Sequence, residues 1–272
     1  MPSFSSPNAS AHAEPIASAF FNDTATTEIY TVFDTLSLHD ALPIFEGTYP
    51  IDTGTATIVA DPDRDGAYVL EVNQVPSSYV VPGAPEVLSY DYMEWIADFI
   101  EAAELPEPFA AVHLGAAGCA LPSYVQHRWD SRNIAVELDR GLARLVREAF
   151  DPPVEIAVVE ARAFTHALAP GSVDVIVRDV FAGPDTPRPL TTVEFYRAAH
   201  RALSPGGLFV ANVGDVAGLP RTRSTLAGLQ QVFAHTAVTY AGRGYGNVVV
   251  AASDNPLAGT QLPIDGASPV HD

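Results

Sequence analysis

Five short apolar segments alternate with helical stretches between residues 110 and 214, and this alternation restricts the possible folds more than any other feature. The apolar segments are AAVHLG (110–115), NIAVEL (133–138), VEIAVVE (154–160), VDVIVRD (173–179) and GLFVANVG (207–214). Helical patterns such as GLARLVREAF and TTVEFYRAAHRAL lie between them. Repeated strand–helix units align strands in parallel and cover the sheet with helices. The pattern therefore predicts an α/β protein with a mostly parallel sheet.

Two more apolar segments, HTAVTYAG (235–242) and GNVVVAAS (246–253), follow the fifth unit with a very short connection between them. A connection this short can join antiparallel strands but not parallel ones. We therefore expect a seven-stranded Rossmann-like sheet that ends in an antiparallel hairpin. This predicted domain covers residues 89–253 and begins with a helix in PEVLSYDYMEWIADFIEAAEL.

Residues 46–88 have a different pattern, in which apolar and polar residues alternate with a period of two. The segments TATIVAD and AYVLEVN flank the turn sequence PDRDG, and SSYVV follows them. Alternation around a Pro/Asp/Gly turn is typical of a β-hairpin. The sequence predicts a small antiparallel β domain before the α/β domain.

Both ends of the chain lack such patterns. Residues 1–45 are predicted to be a disordered N-terminus, since residues 1–19 are rich in Ser, Pro and Ala. Residues 20–45 resemble the peptide encoded by sequencing-adapter DNA and are suspected to be non-native, although a real strand or short helix near 29–38 is the rival interpretation. Residues 254–272 are polar and are predicted to be a flexible tail.

The charge and composition exclude several functional classes. The chain carries a formal net charge of -19, and all of its basic residues are arginines, scattered singly. An acidic surface repels phosphate backbones, so we expect no nucleic-acid partner. The single cysteine, Cys119, rules out an internal disulfide and suits a reducing compartment. No apolar run approaches the roughly 20 residues of a membrane helix, and the first residues lack signal-peptide features. These features predict a cytoplasmic protein without direct membrane insertion, and the histidine spacing predicts no metal site.

A glycine-containing turn follows the first predicted strand of the α/β domain. In LGAAGCALP, Gly115 and Gly118 allow a tight strand-to-helix turn and close approach of a ligand to backbone N–H groups. The turn lacks the complete G-x-G-x-x-G pattern, and alone it is little more informative than an ordinary turn.

Acidic residues end the next three strands in chain order. Glu137 lies 22 residues after Gly115, a spacing that suits a carboxylate accepting both hydroxyls of a ribose. Glu160 ends the third strand and is followed by Ala161, and Asp179 ends the fourth. Structural interpretations remain open: Glu137 could stabilise a helix N-terminus and Asp179 could cap a loop. Ligands of open α/β sheets bind at the carboxyl edge, so these acids favour a nucleoside site there.

These motifs resemble those of the spermidine synthase (polyamine aminopropyltransferase) family, especially its actinobacterial-type members. The resemblance implies the class I methyltransferase fold. The similarity covers roughly residues 47–253 and includes YVLEVNQVPSSYV, YDYMEWI, VELD, Asp179, LTTVEFYRAAHRALSPGGLFVANV and GNVVVAAS. It implies that Glu137 holds the ribose of an S-adenosyl ligand and that Glu160 and Ala161 flank the adenine. The nucleoside-contacting set that it implies is Gly115, Ala117, Gly118, Glu137, Leu138, Glu160, Ala161 and Asp179. By analogy with the family, a homodimer formed through the N-terminal β unit is possible.

The resemblance also assigns a catalytic role to Asp179, which would hold an amine, accept its proton and stabilise the cationic centre. Three positions depart from the family pattern. Gly118 stands where an Asp receives the aminopropyl group, and Ala182 replaces the second acid of an Asp-x-x-Asp motif. Met93 replaces a Gln that follows a tyrosine, here Tyr92. Tyr92, Glu94 and Asp185 are the remaining candidates for contacts with the acceptor.

Three functions follow from these observations. The first is aminopropyl transfer in polyamine biosynthesis, from decarboxylated S-adenosylmethionine to a small-molecule amine. The second is a methyltransferase that uses intact S-adenosylmethionine, since Gly118 removes an acid that would repel the carboxylate of that ligand. The third is a non-catalytic binding protein of the same family.

Overall fold

The computed structural model describes residues 46–242 and 246–272. The predictions of a disordered N-terminus and of a non-native segment at 20–45 lie outside these residues. Within them, a four-stranded antiparallel sheet precedes a seven-stranded sheet that is flanked by helices.

The N-terminal sheet has the strand order β1-β2-β3-β4. Its strands are β1 (Gly47–Ile51), β2 (Gly54–Ala60), β3 (Tyr68–Val72) and β4 (Val75–Val80). The sequence predicted the last three as extended segments, and β1 is an addition. The β3–β4 turn uses Asn73 and Gln74 with φ of 51° and 67°, the positive values that a tight hairpin turn requires. Ala56, Ile58 and Leu70 face inward and are almost completely buried.

The second sheet confirms the predicted class I methyltransferase-type fold, with the strand order β10-β11-β9-β8-β5-β6-β7. Strands β5 to β9 are parallel, and β11 runs antiparallel between β9 and β10. The strand bounds are β5 (Ala110–Leu114), β6 (Arg132–Glu137), β7 (Glu155–Val158), β8 (Val173–Arg178), β9 (Leu203–Asp215), β10 (His235–Tyr240) and β11 (Gly246–Ser253).

Six helices within the described part of the chain cover the sheet. They are α1 (Asp91–Ala102), α2 (Ala120–Trp129), α3 (Arg140–Phe150), α4 (Ala161–Ala167), α5 (Val193–Ala202) and α6 (Pro220–Leu229), and a short 3₁₀ turn spans Arg188–Leu190. The predicted amphipathic helix is α1, which buries Tyr92, Ile96, Phe99 and Ile100. Helices α1 and α2 pack on one face of the sheet, and α4, α5 and α6 pack on the other. No helix among the described residues has the length and apolar character needed to cross a bilayer.

Asp139, at the N-cap of α3, fastens the N-terminal sheet to the α/β domain. Its Oδ1 accepts hydrogen bonds from the backbone N–H of Leu142 (2.8 Å) and Asp52 (3.0 Å). Its Oδ2 accepts from both the N–H and the hydroxyl of Thr53, each at 2.7 Å. One buried carboxylate therefore caps a helix and also holds the β1–β2 turn.

The C-terminal segment, for which the sequence predicted a flexible tail, lies along the α/β domain. Thr260 and Val238 exchange two backbone hydrogen bonds of 2.9 and 3.1 Å. Val270 accepts from the N–H of Val193, and Asp272 pairs with Arg162 at 2.5 Å. Polar composition suggested mobility, but these backbone bridges and the terminal ion pair give the segment specific partners.

Candidate functional site

The tips of β7, β6, β5 and β8 lie side by side at the carboxyl edge of the large sheet, and they carry the acids singled out in the sequence. Gly115 N–H donates to Val136 O, and Asp179 N–H donates to Leu114 O, both at 2.9 Å. Val159 N–H donates to Glu137 O at 2.9 Å as well, so the ends of β7, β6, β5 and β8 are in register. With about 4.8 Å between neighbouring strands, the tips of β8 and β7 are roughly 14 Å apart, a span that suits a nucleoside with its side chain.

The glycine turn after β5 allows the two neighbouring tips to approach each other closely. Gly115 has a φ of +90°, and a Cβ on it would lie 2.2 Å from the carbonyl oxygen of Asp179. Only glycine meets both the conformational and the steric requirement.

Gly118 is restricted by the N-terminal sheet and not by its backbone conformation. A Cβ at this position would lie 2.8 Å from both Ser78 Cβ and Val80 Cγ2 on β4. The Gly118 N–H donates to Ser78 Oγ at 2.9 Å. An aspartate, as the resembling family carries here, would not fit without movement of β4.

Glu137 lies at the tip of β6 and faces the glycine turn. Its Oε2 accepts from Ala116 N–H (3.4 Å) and its Oε1 accepts from Asp139 N–H (2.9 Å). Burial raises the pKa of Glu137, and these backbone hydrogen bonds oppose the rise. Each oxygen accepts one such bond and so retains capacity for a hydroxyl donor.

Glu160 is the N-cap of α4 and uses both oxygens for that purpose. Oε1 accepts from Arg162 N–H (2.9 Å) and Oε2 from Ala163 N–H (2.8 Å). The side chain is exposed, and Ala161 behind it is buried. Helix capping fixes the carboxylate at this edge of the sheet, beside the tip that carries Glu137.

Asp179, at the tip of β8, is held by two neutral donors. Tyr92 on α1 donates its hydroxyl to Oδ2 at 3.0 Å, and Asn212 on β9 donates its Nδ2 to Oδ1 at 3.0 Å. Burial raises the pKa of Asp179, while the Asn212 and Tyr92 hydrogen bonds and the charge of Arg178 lower it. The result is a positioned carboxylate with unused lone pairs, which is what a proton acceptor requires.

Asn212 and Arg178 are two residues of this site that sequence reasoning missed. Arg178 precedes Asp179, is fully buried, and donates to Leu190 O (2.9 Å) and Tyr196 Oη (3.4 Å). It also reaches Asn212 O at 3.5 Å. The available signal was polarity within otherwise apolar strands, since an Arg and an Asn in such positions require a partner.

Apolar side chains are exposed along the same edge. Leu138 and Val158, after β6 and near the end of β7, are 62% and 38% exposed, and Phe181 and Val216, beyond β8 and β9, are 37% and 52% exposed. These four make up most of the large apolar residues exposed in the described structure. Most of the large apolar side chains exposed in the described structure therefore lie along the edge that also carries the acids.

Of the three predicted acceptor contacts, the structure brings only Tyr92 to Asp179. Asp185 forms an ion pair with Arg221 at 2.5 Å instead. Glu94 is exposed and lies two residues from Tyr92 on α1, so it points to nearly the opposite side of the helix. Met93 is buried in the core beneath α1.

Other clusters in the described residues do not extend this site. No group of three or more His, Cys, Asp or Glu there has the arrangement to hold a metal ion. A cavity of about 530 Å³ lies at the opposite end of the sheet, between Pro170, Phe233 and the β9 start, and contains the His200–Asp254 pair at 2.8 Å. It shares no residue with the carboxyl edge.

The strand order and the row of acids at the carboxyl edge define a protein of the class I methyltransferase fold. The solved structure of human methyltransferase-like protein 13 in complex with SAH shares that fold, with a TM-score of 0.53 and 22% identity over 65% of this chain and 87% of that one. A probable spermidine synthase from Corynebacterium glutamicum is 37% identical, with a TM-score of 0.78, over 84% of this chain and 96% of that one. The chain belongs to the spermidine synthase (polyamine aminopropyltransferase) family.

A curated relative gives the same family at lower coverage. The polyamine aminopropyltransferase of Chromobacterium violaceum is 29% identical over 151 residues, which are 54% of this chain. The match spans little more than half, 57%, of that relative's length. No family model matches the chain.

Proposed function

We propose that this protein transfers an aminopropyl group from decarboxylated S-adenosylmethionine to a small-molecule amine, with Asp179 as the base. The observation that carries the proposal is the Asp179 carboxylate, positioned by Tyr92 and Asn212 beside the Gly115 turn. The chain's family membership supports the reaction class.

The donor nucleoside would lie along the carboxyl edge. Glu137 has lone pairs available for the ribose hydroxyls, and the exposed Leu138 side chain offers an apolar surface to the purine. Glu160 and Ala161 would flank the adenine at the far end. Asp179, about three strand spacings away, would then lie beside the sulfonium and its alkyl chain.

The transfer step requires an unprotonated amine. The nitrogen lone pair attacks the aminopropyl methylene next to the sulfonium, and the C–S bond breaks. Its electron pair stays on sulfur, which leaves neutral 5′-methylthioadenosine. The proton lost by the nitrogen passes to Asp179 and from there to solvent. A carboxylate at this position also stabilises the cationic nitrogen during attack.

The experiment is a 5′-methylthioadenosine release assay with decarboxylated S-adenosylmethionine and a panel of amines. Asp179→Asn should reduce turnover by about 10²–10⁴-fold, the usual contribution of a positioned base. Glu137→Gln should instead weaken nucleoside binding, as measured by calorimetry. Unchanged turnover in Asp179→Asn would reject the catalytic assignment and favour the non-catalytic binding protein.

A methyltransferase is the second candidate, and the geometry at Gly118 favours it. The position has no room for the acid that would discriminate against a carboxylated donor. Calorimetry with S-adenosylmethionine and its decarboxylated form separates the two functions. Tighter binding of the carboxylated ligand, together with methyl transfer, would replace aminopropyl transfer.

A further inference from the structure

The other acids along the carboxyl edge of the large sheet are mostly committed to internal partners. Asp139 and Asp215 cap α3 and α6, and each accepts several hydrogen bonds from backbone and hydroxyl groups. Glu160 caps α4 with both oxygens. Asp179 differs because its hydrogen-bond donors, the Tyr92 hydroxyl and the Asn212 amide, are neutral. Its negative charge therefore remains available to a cationic substrate.

Asp185 is the nearest acid along the loop after β8, but an arginine neutralises it. Arg221 on α6 contacts Asp185 Oδ1 at 2.5 Å and also donates to Gly214 O at 3.2 Å. The loop itself is tight, since the N–H of Ala182 bonds to the carbonyl of Asp185 at 2.8 Å. Even when this exposed pair opens, Arg221 remains beside the carboxylate and offsets its charge for an approaching cation.

The surface beyond Asp179 is apolar. Asp179 accepts from Asn212 on β9, and the Phe181 ring lies 3.3 Å from the point that a Cβ on Gly214, two residues further along β9, would occupy. Asn212 and Gly214 are two apart on β9 and face the same side of the sheet, so the Phe181 ring lies on the same side of this edge as the Asp179 carboxylate. Ala182 adds no charge. A chain that extends from an amine at Asp179 would therefore meet an aromatic ring and not a second carboxylate.

We propose that the acceptor is a primary monoamine, whose single nitrogen lies at Asp179 and whose uncharged, apolar chain lies against Phe181. This inference rests on the proposed aminopropyl transfer and names its acceptor class. A second ammonium would gain no charge-assisted hydrogen bond here. A diamine thus has no advantage over a monoamine of equal length.

One further acid requires a control. Burial raises the pKa of Tyr90, and the charge of Glu71, a partly buried residue of β3, raises it further. Tyr90 stacks on Tyr92 with 6.1 Å between ring centroids, and Tyr92 donates to Asp179. Glu71→Gln is therefore part of the experiment.

The experiment compares n-butylamine with 1,4-diaminobutane as acceptors for the full chain and decarboxylated S-adenosylmethionine. We expect kcat/KM for the monoamine to equal or exceed that for the diamine. Calorimetry of both amines with protein saturated in 5′-methylthioadenosine measures acceptor binding without turnover. We expect equal affinities, or a preference for the monoamine, in that measurement too.

Two variants introduce the missing charge by different routes. Ala182→Asp adds a carboxylate, and Arg221→Gln removes the ion-pair partner of the existing carboxylate at Asp185. Each variant should raise the ratio of kcat/KM for the diamine to kcat/KM for the monoamine about tenfold, the equivalent of one charge-assisted bond. Adding Asp185→Asn to Arg221→Gln should cancel the gain. Thermal unfolding of each variant separates a change of specificity from a loss of fold.

The outcomes separate this inference from the proposed function. A tenfold or greater preference of the unaltered protein for the diamine overturns the inference and leaves aminopropyl transfer intact. If Glu71→Gln abolishes that preference, the second anion is Glu71. Absence of methylthioadenosine release with every amine overturns the proposed function, and tighter diamine binding in the calorimetry overturns the acceptor class independently.

Discussion

Tyr92 donates its hydroxyl to Asp179 Oδ2 at 3.0 Å, and this bond joins the helix before the large sheet to the tip of β8. The tyrosine is almost completely buried, and this burial, together with the adjacent Asp179 carboxylate, raises the pKa of Tyr92. It therefore stays a hydroxyl donor at physiological pH. The bond selects one orientation of Asp179 and favours its ionised form.

Removal of the Tyr92 hydroxyl should make Asp179 a base only at higher pH. Tyr92→Phe deletes a hydrogen bond that lowers the pKa of Asp179, so the acidic limb of the kcat/KM–pH profile moves to higher pH. At neutral pH kcat/KM should fall by about tenfold, which corresponds to the loss of one bond to a charged group. Tyr90→Phe, which alters the stacked neighbour, is the control and should leave the limb in place. Identical acidic limbs for Tyr92→Phe and the unaltered protein would contradict this role.

The sequence predicted the seven-stranded sheet because each βα unit carries its own apolar period and turn. It also placed Glu137, Glu160 and Asp179 at or just beyond strand ends, since a strand's end is a local property, and their roles stay predictions. It could not find Asn212 or Arg178 as site residues. Their roles depend on which strands become neighbours, and β9 lies next to β8 only in the folded sheet.

The sequence could not show the steric restriction at Gly118 for the same reason. Comparison with the family pattern interprets Gly118 as the loss of an acid. In the structure, the contacts of β4 with the turn limit the size of the side chain at this position. Asp185 likewise was a plausible second acid until its partner Arg221, 36 positions along the chain, was known. At both positions, contacts between residues far apart in the sequence determine the role of the side chain.

Addition of a side chain at Gly118 should destabilise the protein. Gly118→Ala places a Cβ 2.8 Å from Ser78 Cβ and Val80 Cγ2, and overpacking of this kind costs about 1–3 kcal/mol. Denaturant unfolding measures the loss. In a Val80→Ala background, which removes one clashing methyl group, the same substitution should cost less. Equal costs in both backgrounds would show that β4 does not restrict this turn.

Asp139 should be worth more to stability than an ordinary helix cap, because it also holds the β1–β2 turn. Asp139→Ala removes the cap and three bonds to the turn, and we expect a loss of about 2–3 kcal/mol of unfolding free energy. Thr53→Val removes the hydroxyl bond alone and should cost about 1 kcal/mol. Amide hydrogen exchange should be faster at Asp52 and Thr53 in both variants, most in Asp139→Ala. Equal losses in the two variants would reduce Asp139 to a local cap.

His113 should make the protein sensitive to mild acid. The side chain is fully buried in β5, and both ring nitrogens lack a well-formed hydrogen bond within the described residues. Burial lowers the pKa of His113 from 6.5 to about 4, and Asn133 offsets this shift only in part. The unfolded chain therefore binds a proton at higher pH than the folded one. Its contribution to stability is complete above pH 6.5 and is lost as the pH falls from 6.5 towards 4.

The difference between the two states amounts to roughly 3 kcal/mol across that range, at about 1.4 kcal/mol per pH unit. His113→Gln removes the titrating group and keeps a polar side chain that Asn133 can contact, so its unfolding free energy should change less with pH over this range. The control is His127→Gln on α2, an exposed position, which should retain the full pH dependence. Urea unfolding at several pH values between 4 and 7 measures all three proteins. If the unfolding free energies of His113→Gln and the unaltered chain change with pH in parallel, other groups cause the acid sensitivity. Asp179 and Glu137 are not among them, because a carboxyl group with a raised pKa makes the folded state more stable as the pH falls.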